Sequence, residues 1–306
     1  MRALLRDRSF RSLTLAQFLT VFNDNAYKQV LLLLAVAQDS QGADLQARAG
    51  FLFAAPFLLF AVMAGDLVDR CSKRTVVMAV KGAEVGIMLL GALALAQGIF
   101  SPAAAVLLLT GVQSAFLGPA KYGILPEIVP GPALARANGL FQLTVLVGIL
   151  VGTGSAGLIK TALEGRLWMA GLFFAGIALL GTWAARGIRP LPAADPGRRI
   201  RWNVLTRMKG ELRRAARTPA LLAAMLGHAT FFLVGGVVLF AWNEMGSRIL
   251  EVGEGFWSLG LASLSLSLAL SCLLAGHLSR RKLRLDLVPL GGVLLGLAFL
   301  AVGIGP

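Results

Sequence analysis

Residues 13–37 read LTLAQFLTVFNDNAYKQVLLLLAVA, an apolar run long enough to cross a bilayer, broken near its middle by Asn23, Asp24, Asn25 and Lys28. About 20 predominantly apolar residues suffice to span the hydrocarbon core as a helix. A charge at mid-membrane costs roughly 2.5–3.5 kcal/mol even on the lenient insertion scale, so Asp24 is expected to face protein or a water-filled cavity, not lipid. Asp24 and Lys28 stand four residues apart with the acid on the N-terminal side. That spacing predicts a side-chain pair on one helix face, lining a pathway. The structural alternative is a neutralised pair sealed inside a packed bundle.

The rest of the chain has the same character. Of its 306 residues 57% are hydrophobic and 14% charged, and the mean hydropathy is +0.77. This excludes a soluble domain of ordinary composition and implies a polytopic membrane protein. The net charge of +14 is spread over short segments between apolar runs. It therefore reports topology and argues against a nucleic-acid partner, which would need one solvated basic face. Cys71 and Cys272 are far apart, so neither a disulfide framework nor a metal-ligand spacing is present, and no cofactor is implied. Arg2, Arg6, Arg8 and Arg11 ahead of an apolar run resemble a signal peptide. A cleavable apolar core is shorter and carries no Asn-Asp-Asn and Lys, so this is read as a retained first helix.

Nine runs approach spanning length: 13–37, 49–68, 76–96, 102–118, 137–159, 167–185, 220–242, 256–278 and 287–304. Their connections alternate in charge. The N-terminal arginines, Arg70/Lys73/Arg74, Lys121/Arg136, the stretch 186–217 and Arg280/Arg281/Lys282/Arg284 alternate with connections that are neutral or of mixed charge. By the positive-inside rule the first set, and the N-terminus with it, is cytoplasmic. The expected organisation is a six-helix bundle over 1–186, a basic cytoplasmic linker over 187–219 and an incomplete three-helix bundle over 220–306. Two bundles joined by a basic linker suggest the duplicated plan of a secondary transporter with three helices missing. Within the linker Leu205, Met208, Leu212 and Ala216 recur at helical spacing among basic residues, the pattern of a helix lying on an anionic leaflet or of a solvated tether.

After the second run comes Gly65-Asp66-Leu67-Val68-Asp69-Arg70-Cys71-Ser72-Lys73-Arg74. It closely resembles the loop signature of the major facilitator superfamily, with Ser72 where that pattern has Gly. The implied role of Gly65, Asp69, Arg70, Lys73 and Arg74 is a conformational latch, a charge cluster that holds one bundle against the other and is broken as they alternate. A degenerate echo, residues 276–282, follows the eighth run. Residues 22–28 (FNDNAYK), 118–127 (GPAKYGILPE) and 135–140 (ARANGL) resemble the bacterial lysophospholipid transporter branch. The similarity is nearest to members fused to a glycerophospholipid acyltransferase and an acyl-carrier-protein synthetase. The resemblance implies an all-α, major facilitator-type helical bundle with about nine of twelve transmembrane helices, in the bacterial inner membrane. It also implies transport of lysophospholipid, chiefly lysophosphatidylethanolamine, to the inner leaflet for re-acylation.

The residues suit such an amphiphile independently. Asp24, flanked by Asn23 and Asn25, matches an ethanolamine ammonium, while Lys28 or Lys121 matches a phosphate as a compact point charge. Lys121 has a competing reading at the cytoplasmic boundary, where it would snorkel or pair with Asp66 or Glu127. Gln113 and Gln142 are candidate cavity-lining groups, and Lys81 with Glu84 is expected as an internal pair near the inner interface. Residues 152–157 (GTGSAG) fit a dinucleotide fingerprint only by spacing. Inside an apolar run they read better as a small-residue packing surface. The acyltransferase signature, His followed five residues later by Asp, is absent from the sequence. A drug or metabolite exporter of the same fold, and a non-transporting module docking an acyltransferase, remain alternatives.

Overall fold

Hydropathy and helix-breaking residues set the elements of the chain, which we describe from a computed structural model covering residues 2–38, 42–197, 204–244, 267–268, 270–271, 274–279 and 286–303. The helices are α1 (Arg2–Arg6), α2 (Arg8–Gln38), α3 (Gly42–Arg70), α4 (Lys73–Ala96), α5 (Phe100–Ile128), α6 (Gly131–Ala162), α7 (Trp168–Ala185), α8 (Val204–Ala216), α9 (Pro219–Glu244) and α10 (Leu287–Gly303). No strand occurs among the described residues. The chain divides into two compact units, Met1–Arg207 and Met208–Pro306.

Local chemistry explains the ends. Asp7 caps α2 by accepting the Phe10 backbone N–H at 2.7 Å, the usual way to satisfy an orphan donor in the first turn. Gly98, at φ 64, follows α4 and turns the chain into α5 through the left-handed region that glycine occupies without strain. Pro132 sits in the first turn of α6, where its missing N–H costs nothing.

Among the described residues five helices, α3 to α7, have the length and apolarity of a membrane span, and a sixth counts if the bent pair α8–α9 is taken as one. The first expected span is α2, 31 residues long. Its polar middle keeps it below that threshold, and its neighbours bury that middle. The fourth span does not end at Gly118: α5 runs ten residues further, through Pro119 and Pro126, to Ile128. Proline is tolerated within membrane helices because neighbouring groups satisfy the carbonyl it frees. Most of the eighth expected span, and part of the 276–282 echo, lie outside the described residues.

In the first unit the packing has an internal symmetry. Helix α2 packs on α6 and α7, α5 packs on α3 and α4, α4 packs on α7, and α2 meets α5. Exchanging α2–α3–α4 with α5–α6–α7 leaves this set unchanged. Each triplet crosses an odd number of times, so the second enters from the opposite side, which is the inverted repeat of transporter halves. The pairs α2·α5 and α4·α7 map onto themselves and so lie on the pseudo-two-fold axis.

Small residues bring the helices together. A Cβ on Gly152 of α6 would stand 2.6 Å from the Phe22 carbonyl oxygen of α2, and one on Gly148 would stand 3.0 Å from Val21. Residues 152–157 thus form part of a continuous helix, in which Gly152 and Ala156 are buried while Gly154 and Gly157 face open space. Tyr27 is fully buried, bonds the Ala103 carbonyl at 3.0 Å and sets its ring edge-on to Phe174.

The second unit is described by itself. Helix α8 meets α9 at a bend of 117° between Met208–Ala216 and Pro219–Gly235. Met208 and Leu212 are exposed on α8.

The glycine surface gives a test of opposite signs. Gly152→Ala should destabilise the detergent-solubilised protein, by roughly 1–3 kcal/mol for an overpacked contact. Gly154→Ala, whose Cβ meets nothing within 4 Å, should leave it unchanged or raise it by up to about 1 kcal/mol from helix propensity. Thermal unfolding of both variants measures the contrast.

Candidate functional site

The centre of the first unit is polar. Lys81 and Glu84 of α4 form an ion pair of 2.6 Å with both side chains fully buried. They stand about 12 and 16 Å along the axis from the start of α4 at Lys73, in mid-helix and not near the inner interface as the sequence suggested. Glu84 also accepts from the Asn23 amide at 3.1 Å, the Thr20 hydroxyl at 3.3 Å and the Gln113 amide at 3.2 Å. Lys81 donates to Thr20 Oγ1 at 2.8 Å. Asn23 reaches across to donate to the Phe174 carbonyl of α7 at 2.9 Å. One carboxylate thus gathers α2, α4 and α5, and Asn23 adds α7.

Asp24 lies at the edge of this cluster. The Ser114 hydroxyl of α5 donates to its Oδ2 at 2.5 Å, across the α2·α5 contact on the pseudo-two-fold axis. Ser114 Oγ also lies 3.1 Å from Gln113 Oε1, so a chain of polar contacts links Asp24 through Ser114 and Gln113 to Glu84. Asp24 Oδ1 is buried with no partner, as is Asn23 Oδ1. Such orphaned acceptors are costly in an apolar interior.

The expected Asp24–Lys28 ion pair does not form. The Lys28 ammonium donates to Asn25 Oδ1 at 3.2 Å and lies 5.4 Å from the centroid of the Phe53 ring. Asn25 donates to the Val21 carbonyl at 2.8 Å. Helical spacing permits the Asp24–Lys28 pair, but Ser114 on the facing helix takes one oxygen and Phe53 and Asn25 hold the cation. Lys121 is also displaced from the expected boundary loop. It sits within α5, two turns beyond Ser114, with its ammonium 5.3 Å from the Tyr122 ring centroid. Glu127, a candidate partner for it, pairs instead with Lys73 at 2.5 Å. Gln113 is buried in the cluster, whereas Gln142 is half-buried on α6 and joins none of the hydrogen bonds above. No group of three or more His, Cys, Asp or Glu able to hold a metal occurs among the described residues.

The loop motif closes the end of the bundle that carries the basic connections. Lys73 ties α4 to α5 through Glu127, and Arg74 donates to the Arg186 carbonyl at 3.3 Å. The Asp69 carbonyl accepts the Asp195 N–H at 2.8 Å. Arg70 is exposed, and Gly65 is half-buried with open space where a Cβ would point.

The family model of the Major Facilitator Superfamily matches residues 13–306. The chain belongs to the Major Facilitator Superfamily. Among curated proteins it is similar to those named "Lysophospholipid transporter LplT" from Salmonella newport (strain SL254), Salmonella typhi and Salmonella typhimurium. Each is 34% identical over 257 residues, covering 82% of this chain and 54% of the relative. The chain spans about half the length of the curated relatives it matches. Its inverted-repeat packing is that of a superfamily half.

Two members of the polar cluster escaped the sequence reading: Thr20 and Ser114. The missing signal was spacing across helices. Thr20 precedes Asp24 by four and Ser114 precedes Lys121 by seven, so each shares a helix face with a charged residue already singled out.

Removing the cation alone tests the cluster. Lys81→Met leaves Glu84 buried without its counter-charge and should cost roughly 3–5 kcal/mol, while adding Glu84→Gln should restore much of the loss. The folded fraction after detergent extraction and thermal challenge measures both.

Proposed function

We propose that this chain moves lysophospholipid, above all lysophosphatidylethanolamine, across a bacterial inner membrane to the inner leaflet for re-acylation, by alternating access. The observation that carries the reading is Asp24, a carboxylate in the middle of a membrane helix with one oxygen held by Ser114 and the other buried and unpartnered. A primary ammonium brings the donors that oxygen lacks. Similarity to proteins named lysophospholipid transporters supports the substrate class.

Asn25 steadies Lys28 beside the site, and Lys28 with Lys121 supplies compact cations for the phosphodiester. Asn23 and Gln113 hold Glu84 and so orient the helices that carry the site, while Gln142 lines the α6 side. The acyl chain stays against apolar surface. The alternation of basic and weakly charged connections supports an N-terminus in the cytoplasm. Re-acylation requires an acyltransferase with its acyl-acyl-carrier-protein synthetase, fused or separate, as a partner. Gly65, Asp69, Arg70, Lys73 and Arg74 act as the latch, with Lys73–Glu127 holding the ends of α4 and α5 together beside it.

Uptake of labelled lysophosphatidylethanolamine into spheroplasts lacking their own transporter is the test. Asp24→Asn should cut kcat/KM by roughly 10- to 150-fold, the loss of a charge-assisted bond, while membrane insertion is retained. Uptake at the normal rate by this variant would remove Asp24 from the mechanism. Lys73→Gln with Arg74→Gln should lower turnover more than substrate affinity, and a pure affinity loss would count against the latch.

A further inference from the structure

Gln17 has no role in the site described above, yet it is only 2% exposed, and both its amide nitrogen and its amide oxygen are buried without a partner. One turn nearer the N-terminus of α2, Thr14 Oγ1 is likewise buried and unpartnered. Gln17 precedes Asp24 by seven residues, two turns of helix, so the two side chains leave α2 within about 20° of one another. That direction is toward α5, because Asp24 bonds Ser114 there.

Helix α5 runs antiparallel to α2. Seven residues beyond Ser114 on it comes Lys121, again on the face that carries Ser114. The same axial step, about 10 Å, therefore separates Gln17 from Asp24 and Lys121 from Ser114, and it brings Gln17 and Lys121 to one depth on facing helices. Lys121 forms no ion pair or hydrogen bond among the described residues, its ammonium resting by the Tyr122 ring. The donor end of a buried amide and an ammonium held in no ion pair among the described residues are complementary to the anionic oxygens of one ligand, a phosphodiester. The ammonium and the amide N–H bind its anionic oxygens, and the Thr14 hydroxyl stands one turn further along the exit direction.

We propose that Gln17 and Lys121 form a second, inner station for the headgroup phosphodiester, about 10 Å to the cytoplasmic side of Asp24, which the substrate occupies after leaving the Asp24–Ser114 level. The proposal rests on the lysophospholipid reading and adds a step to it. Asp24 selects the headgroup from outside, and Lys121 with Gln17 draws it inward and hands it to the inner leaflet. Lys121 then has a different task from Lys28, which stands one turn to the outer side of Asp24.

The full chain in proteoliposomes, with labelled lysophosphatidylethanolamine as the probe, tests this through two rates and one stability. Gln17→Leu and Lys121→Met should each slow crossing about tenfold, the loss of one bond to a charged group, while equilibrium binding by Gln17→Leu stays within about threefold because the Asp24 level is untouched. Lys121→Arg, which keeps the charge, should retain most of the rate. Gln17→Leu should leave the melting temperature unchanged or raise it, because it removes two orphaned polar atoms. Crossing within twofold of the parent for both variants overturns the station. A fall in melting temperature that parallels the lost activity also overturns it, by making Gln17 a packing residue. Asp24→Asn separates the two levels. No crossing by the parent chain fells the lysophospholipid reading itself and normal crossing by Asp24→Asn removes Asp24 from it, whereas lost crossing in Asp24→Asn, with normal crossing in Gln17→Leu and Lys121→Met, fells the inner station alone. Competition by inorganic phosphate distinguishes a site for the lipid headgroup from one for free phosphate, and displacement by phosphate at equal concentration would assign it to the latter.

Discussion

The Lys81–Glu84 pair is the constraint on which the first unit depends. Two charges fully removed from water are held only if their attraction and their hydrogen bonds outweigh desolvation, and the pair alone does not complete the set. The remaining donors come from other helices: Thr20 and Asn23 from α2 and Gln113 from α5. This requirement fixes the rotation of α2 about its own axis. Asn23 and Asp24 leave that helix about 100° apart, so once Asn23 is committed to Glu84 and the Phe174 carbonyl, Asp24 must face α5. The position of the candidate substrate carboxylate is thus a by-product of satisfying a buried ion pair on another helix.

The rotation also needs close approach between helices. The glycines of α6 let α2 settle backbone to backbone, with Phe22 and Val21 where a larger side chain would stand. In a membrane, apolar burial gives little drive for helices to associate, and tight contact with interhelical hydrogen bonds replaces it. Small residues on α6 and the polar knot on α4 therefore act on opposite sides of α2. One sets its distance and the other its azimuth.

Much of this was legible in the sequence, because hydropathy and helical spacing are local properties. The runs at 49–68 and 76–96 fall within α3 and α4, the run at 167–185 begins one residue ahead of α7, and the loop motif spans the junction of α3 and α4. The errors have a common cause. The run at 102–118 stopped short of Lys121, which α5 carries within the same helix as it continues through Pro119 and Pro126. Asp24 and Lys28 looked like a pair because i, i+4 spacing is all a single helix reveals, and a serine on another helix decided the matter. Lys81 and Glu84 were recognised as partners but assigned a shallow depth, since neither spacing nor composition says how far a neighbouring helix covers them. Gln17 gave no signal at all, because an amide in an apolar run becomes informative only when its surroundings offer it no partner.

The basic end of the bundle ties together the helices that surround this centre. After α7 the chain turns back along the helix ends. Arg189 donates its backbone N–H to Ser9 Oγ at 3.1 Å and its guanidinium to the Glu127 carbonyl at 2.5 Å. Asp195 meets the end of α3 at the Asp69 carbonyl, and Arg74 joins α4 to the Arg186 carbonyl. Ile188 and Leu191 are buried beneath it. The ends of α2, α3, α4, α5 and α7 are therefore tied to one another at the edge, and α2, α4 and α5 also through the ion pair at the centre, so sliding α2, α4 or α5 would break contacts at two depths. Motion of these helices as one body costs least. A rocking unit of this kind presents Asp24, and the polar positions two turns below it, in fixed relation to each other.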